Sequence, residues 1–175
     1  MRDTREATRD LWGDAVVAAV LAALPDAGDR ALFAGASYPL WVPERAFADW
    51  MQAVWDGPAA RDAAQLARWV DRLTDRGFGT AKRALMSLAS PWVILRRAGS
   101  LWRTEHSHGE LAVTPLGRTE ARFELRGHPF ADSEVAAAAI SEAYRYIVFR
   151  CRTRWATEDH AREPAGTLAV TVRWG

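Results

Sequence analysis

Arg118-Thr119-Glu120-Ala121-Arg122-Phe123-Glu124-Leu125-Arg126 alternates without a break. Thr119, Ala121, Phe123 and Leu125 fall on one side, and Arg118, Glu120, Arg122, Glu124 and Arg126 on the other. A period of two belongs to a strand with one face buried and one in water. The interleaved glutamates read as cross-strand ion pairing on the wet face. Glu110 to Leu116 supplies the preceding strand, with a turn around Pro115 to Gly117. His128-Pro129 ends the alternation, and Asp132 then caps a helix. Its apolar face includes Ala136, Ile140, Ala143, Tyr144 and Ile147, with Glu134, Ser141, Glu142 and Arg145 opposite. Cys151 to Glu158 and Thr167 to Trp174 read as a second strand pair joined by a polar loop, Asp159 to Gly166. Their inward sets are Cys151, Thr153 and Trp155, and Leu168, Val170, Val172 and Trp174.

Upstream the period is that of helices. Trp12, Val16, Val17, Val20, Leu21 and Leu24 recur at threes and fours, predicting one helix over Thr4 to Leu24 that stops at Pro25-Asp26-Ala27-Gly28. Arg30 to Trp41 has no clear period. Pro43 suits the first turn of a helix carrying Phe47, Trp50, Met51, Val54 and Trp55 on one face, ended by Asp56-Gly57-Pro58. A third helix is expected from about Ala59 to Arg76, with Gly77 as its left-handed stop, and a fourth from Gly79-Thr80 through Leu88 and Ala89. Pro91 opens a short helix leading to Leu101-Trp102. Helices followed by strand-strand-helix-strand-strand give an α+β fold, with N-terminal helices packed on one antiparallel sheet. The expectation is one domain, 1–175, with a mainly helical half over 1–104 and a sheet-forming half over 105–175.

The 175 residues are 49% hydrophobic and 26% charged, with a formal net charge of +1, which excludes a disordered tail, a collagen-like repeat and a basic nucleic-acid coat. Residues 1–90 hold 11 basic and 12 acidic side chains and residues 91–175 hold 12 and 10, so even the second half, at +2, attracts a polyanion only weakly. The longest apolar run, Ala15 to Leu24, has ten residues, about half of a membrane span. Met-Arg-Asp-Thr-Arg-Glu is too charged for a secretory signal, and Cys151, the one cysteine, has no internal disulfide partner. A cytoplasmic protein with no membrane span is expected.

This order of elements resembles an uncharacterised family of multi-copy myxobacterial proteins known as a domain of unknown function. The resemblance rests on Tyr38-Pro39-Leu40, Gly77-Phe78-Gly79 with the helix Thr80 to Ala89, Pro91 to Arg103, the strand Gly109 to Thr114, and Val170-Thr171-Val172-Arg173-Trp174. It covers most of the chain from Tyr38 onward. More widely the order looks like that of vinyl-reductase ligand-binding domains, haem-NO-binding sensor domains and TRAPP transport subunits. That likeness implies a small-molecule pocket or a dimer surface rather than catalysis. Two departures stand out. The vinyl-reductase type can hold zinc with paired cysteines, whereas Cys151 stands alone. The haem sensors ligate iron with a helix histidine, whereas His106, His108, His128 and His160 all fall outside the helices drawn above.

Individual motifs add little catalytic chemistry. His106-x-His108 with Glu105 or Glu110 has the spacing of a partial metal site, but a solvated loop entering the first strand accounts for it, and neither a metal nor another cofactor is expected. Gly77-Phe78-Gly79-Thr80-Ala81-Lys82-Arg83 looks like a phosphate loop only superficially, since its glycines are two apart; a helix stop followed by a helix start explains both. Lys82, Arg83, Arg150, Arg152 and Arg154 remain the candidate anion contacts. No Gly-x-Ser-x-Gly elbow exists. Of the nine tryptophans, Trp12, Trp50, Trp69 and Trp155 read as core, while Trp41, Trp55, Trp92 and Trp102 lie near element ends, where indoles line pocket mouths or interfaces. The expected role is a non-enzymatic sensory or scaffold domain, a homodimer binding a small apolar ligand or a protein partner. The alternative is an enzyme acting on a small anionic substrate through a loop histidine, His128 or His160, and arginine.

Overall fold

β1 (Glu110–Gly117) and β2 (Glu120–Arg126) form one antiparallel hairpin, and β3 (Ala156–Glu163) and β4 (Thr167–Trp174) the other. The hairpins join through β2 and β4, giving one four-stranded antiparallel sheet ordered β1-β2-β4-β3. These strands belong to a computed structural model that describes residues 2–35, 42–163 and 166–175. Trp41 and the Tyr38-Pro39-Leu40 of the resemblance lie outside the described residues. The alternation is realised from Glu120 to Arg126, but Arg118 and Thr119, read as strand, form the turn, with Thr119 exposed, and Pro115 to Gly117, read as the turn, belong to β1. Ala121, Phe123 and Leu125 of β2 are buried beside Leu168, Val170, Val172 and Trp174 of β4. On the opposite face Arg122 holds Glu124 (3.0 Å) and Glu163, Arg126 holds Glu124 (2.5 Å), and Arg173 holds Glu120 (2.8 Å).

α8 (Glu134–Arg150) lies between β2 and β3 in the chain, and its Tyr144 ring stacks on Phe123 with centroids 4.6 Å apart. Its cap is Ser133 rather than Asp132: the Ser133 hydroxyl accepts the Ala136 N–H at 3.4 Å. Ser141 and Glu142, expected on the wet side, are buried. Ser141 answers its own desolvation by donating to the Ala137 carbonyl at 2.7 Å, and Glu142 by accepting from Arg145 at 2.8 Å.

The third strand departs most from expectation. It starts at Ala156, not Cys151, and takes in Asp159–Glu163, read from the sequence as loop. Cys151 instead closes α8. Residues 151–155 spend their backbone elsewhere: Arg152 N–H donates to the Ala89 carbonyl (3.1 Å), and the Arg154 and Trp155 N–H groups to that of Gly175. Trp155 is therefore 50% exposed and not a core residue. Polar residues can serve in β3 because it is an edge strand, where charges also discourage further pairing.

Packing divides the chain into two compact units, Met1–Gly77 and Phe78–Gly175. In the first, the single helix expected over Thr4–Leu24 is two, α1 (Arg2–Trp12) and α2 (Asp14–Ala23), because Gly13 takes a φ of 85° that few other residues would. The unperiodic stretch contains a helix after all, α3 (Ala27–Ala34), started by the Asp26 carboxylate, which accepts the N–H groups of Gly28 (2.7 Å) and Asp29 (3.0 Å). α4 (Glu44–Asp56) follows Pro43 and stops at Gly57, as read. α5 (Ala63–Leu88) starts after a turn that holds Ala60 and Arg61 at positive φ. It continues through Gly77 and breaks at Gly79 (φ 60°, ψ 171°), beside the division between the units.

The core of the first unit includes Phe33, Trp50, Val54, Leu66 and Trp69. The second unit adds α6 (Pro91–Leu95) and α7 (Ala98–Glu105) to the sheet and α8. Its core gathers Leu95, Trp102, Leu111, Phe123, Leu125, Tyr144, Val148 and the inward residues of β4.

Candidate functional site

Among the described residues, two places offer chemistry, one in each unit. In the first, α2 and α4 flank an open groove of about 510 Å³. Val16, Ala19, Val20 and Ala23 line one side, Asp49, Gln52, Ala53 and Asp56 the other, and Pro25, Gly57 and Pro58 one end. The groove exists because α2 presents alanine where larger residues would fill the space. Its two acids are engaged along the rim. Asp56 accepts from Gln52 (2.7 Å) and Arg61 (2.9 Å), which hold its carboxyl below the usual range, the Gln52 bond foremost. Asp49 accepts from Arg45 at 3.3 Å. What remains is an apolar floor, in the size range of small-molecule sites.

The second place is an aromatic cluster built on Trp102. α7 lies close to β1: a Cβ on Gly99 would stand 2.6 Å from the Leu111 carbonyl oxygen, so only glycine lets the two approach this far. Trp102 is then buried, its Nε1–H donating to the His108 carbonyl at 3.0 Å. His106 closes α7 and lies flat on the Trp102 indole, with ring centroids 3.7 Å apart at 7°. His128, only 7% exposed, meets Trp102 edge-on at 5.7 Å, and Phe130 stands 6.3 Å from His128.

The residues singled out from the sequence are dispersed. Trp55 is half-buried on α4, and among the described residues no tryptophan lines the groove. Trp92 is half-buried, donates to the Arg118 carbonyl at 2.9 Å and meets Trp174 edge-on at 5.3 Å. Lys82 lies 3.8 Å from Glu105, and Arg83 donates to the Thr80 hydroxyl at 3.4 Å. Arg150 ends α8 with its guanidinium 5.9 Å from the Tyr146 ring centroid, while Arg152 and Arg154 are exposed on the link to β3. His128 is in a loop, as read, but His160 is in β3, its Nδ1 3.0 Å from a Glu158 carboxylate oxygen. The groove was not legible beforehand, because its lining of Ala and Val looks like ordinary helix interior.

A haem held as the sequence likeness implies needs an imidazole from within a helix. His106 follows the last residue of α7, His108 and His128 are in loops and His160 is in a strand. The Cys151 thiol is a poor substitute, since burial pushes its pKa up to about 11 and it donates to the Ile147 carbonyl. The residues present do not fit haem ligated in that way.

No family model matches this sequence, and no curated protein does. Solved structures do. An Fe(II) unliganded H-NOX protein from K. algicida superposes with a TM-score of 0.69 at 7% identity, over 99% of this chain and 94% of its own. A structure from work on H-NOX activation gives 0.69 at 10%, over 98% and 92%. An oxygen-binding H-NOX domain related to soluble guanylate cyclases, in its oxygen complex, gives 0.60 at 9%, over 99% and 92%. The fold is thus similar to that of H-NOX domains along nearly the whole chain.

Proposed function

We propose that this chain is a non-enzymatic ligand-sensing domain that takes a small apolar molecule in the α2–α4 groove rather than haem on a helix histidine. The observation that carries the reading is the near-complete likeness to H-NOX domains, one of them described as oxygen-binding. Because fold alone does not carry function, the ligand is argued from the site. The groove has an apolar floor and a rim of neutralised acids, which suits an uncharged molecule. Its volume would hold a molecule larger than a diatomic gas. Protein–partner binding by a homodimer is the related scaffold reading.

Native mass spectrometry on gently purified protein separates these. The sensor reading expects mass beyond 19.4 kDa or its multiples, removable by organic extraction. A clean dimer without extra mass would favour the scaffold. Titration with hemin should give no histidine-dependent Soret shift. Stoichiometric hemin uptake abolished by one histidine substitution would overturn the reading.

A further inference from the structure

We propose that His106 and His128 form a binding site for a divalent transition-metal ion on the sheet-bearing unit, separate from the groove. The sequence pairs His106 with His108, but the fold does not. His108 is exposed, with its Nδ1 2.8 Å from the Ser107 hydroxyl. The partner of His106 is 22 residues away. His106 precedes β1 and His128 follows β2, and the antiparallel register Glu110↔Arg126 brings those two flanks of the hairpin side by side. One ring nitrogen of His106 and one of His128 then lie within 4.8 Å of each other.

Two imidazole nitrogens bound to one ion at roughly 2.0–2.1 Å are separated by about 3.3 Å in tetrahedral geometry, so ligation needs them to approach by at most about 1.5 Å. The surroundings favour this use of the two rings. Stacking on Trp102 fixes the plane of His106, and His128 is buried, so part of the ordering cost of ligation is already met. Ligation at His128 carries a cost. Its Nδ1 accepts the Phe130 N–H at 3.4 Å, a long contact that metal binding at either nitrogen would give up. Imidazole ligands suit copper, nickel and zinc, with copper(II) bound most tightly, and water would complete the coordination.

The test uses the full-length protein with copper(II) chloride and, in parallel, zinc chloride, followed by calorimetry and by electron paramagnetic resonance for copper. The expected result is one ion per chain, with hyperfine coupling to two imidazole nitrogens and partial quenching of the total tryptophan emission. His106→Gln, at a half-buried position and with circular dichroism confirming its fold, should weaken binding by about tenfold or more and leave one nitrogen coupled. His128→Gln should do the same, with circular dichroism confirming its fold, and His108→Gln should change nothing. No stoichiometric uptake, binding unaffected by His106→Gln, or an equal loss in His108→Gln would each overturn the site. Neither histidine lines the groove, so copper or zinc binding and Nile red binding test the two places separately.

Discussion

Trp69 donates its indole N–H to the hydroxyl of Thr8 at 3.0 Å, across 61 residues of sequence. Trp50 donates to the same oxygen at 3.2 Å, and the Thr8 hydroxyl in turn donates a hydrogen bond to the Thr4 carbonyl at 3.0 Å. One hydroxyl thus uses its donor and both acceptor positions to tie α1, α4 and α5 together inside the first unit, where all three side chains are fully buried. Thr8→Val keeps the shape and strands two indole N–H groups. It should cost about 2–6 kcal/mol, at roughly 1–3 kcal/mol for each buried group left unsatisfied. Thr8→Ser should recover much of it. Urea denaturation followed by tryptophan fluorescence checks both, and a loss under 1 kcal/mol would mean that the indoles find other acceptors.

Gly77 and Gly79 should respond oppositely to alanine. At Gly79 the backbone (φ 60°, ψ 171°) is one that only glycine adopts readily, and nothing stands within 4 Å of an added Cβ, so Gly79→Ala tests backbone strain alone. A loss of about 1–3 kcal/mol is expected. Gly77 is inside the helix with equally open space, so Gly77→Ala should gain about 0.5–1 kcal/mol. Thermal unfolding of the two variants would expose any exchange of these signs.

Filling the groove is the direct test of its role. Ala19 is exposed on α2 and lines the groove, so Ala19→Trp occupies the space while leaving the core untouched. Binding of Nile red, an uncharged apolar probe, should weaken by about tenfold or more, with stability changed by no more than about 0.5 kcal/mol. Unchanged Nile red affinity would move the ligand site elsewhere.

The Asp26 cap makes the first unit acid-sensitive. The N–H groups of Asp29 and Gly28 hold its carboxyl below the ordinary value of 3.8, with Arg45 and Arg30 adding to the effect. Because the folded pKa is the lower one, the stabilisation is complete above the ordinary value and is lost as pH falls through the folded one. Asp26→Asn keeps a capping oxygen but removes the titration. The stability difference between wild type and this variant should therefore be constant from pH 7 to pH 5 and shrink below pH 4. A difference that stays flat down to pH 2 would exclude Asp26 as a contributor.

Periodicity was enough to recognise β2, β4, α4 and the α+β order, because a period of two or 3.6 is a local consequence of having one side against a core. Ala121, Phe123 and Leu125 could be assigned inward from neighbours alone. Tertiary structure decided the rest. Cys151 to Trp155 alternates like a strand, yet its backbone groups bond to Ala89 and Gly175, partners that no local pattern names. Gly13 and Gly79 break helices where Gly77 does not, because all three are permissive and only packing selects which one turns. The two sites were hidden for the same reason. Alanines on α2 leave a groove only because α4 lies beside them, and His106 meets His128 only because the β1–β2 register brings their flanks together. The sequence by itself determined which side of each element is apolar; the meeting of distant groups depends on register and helix packing, which are set by the sum of many long-range contacts.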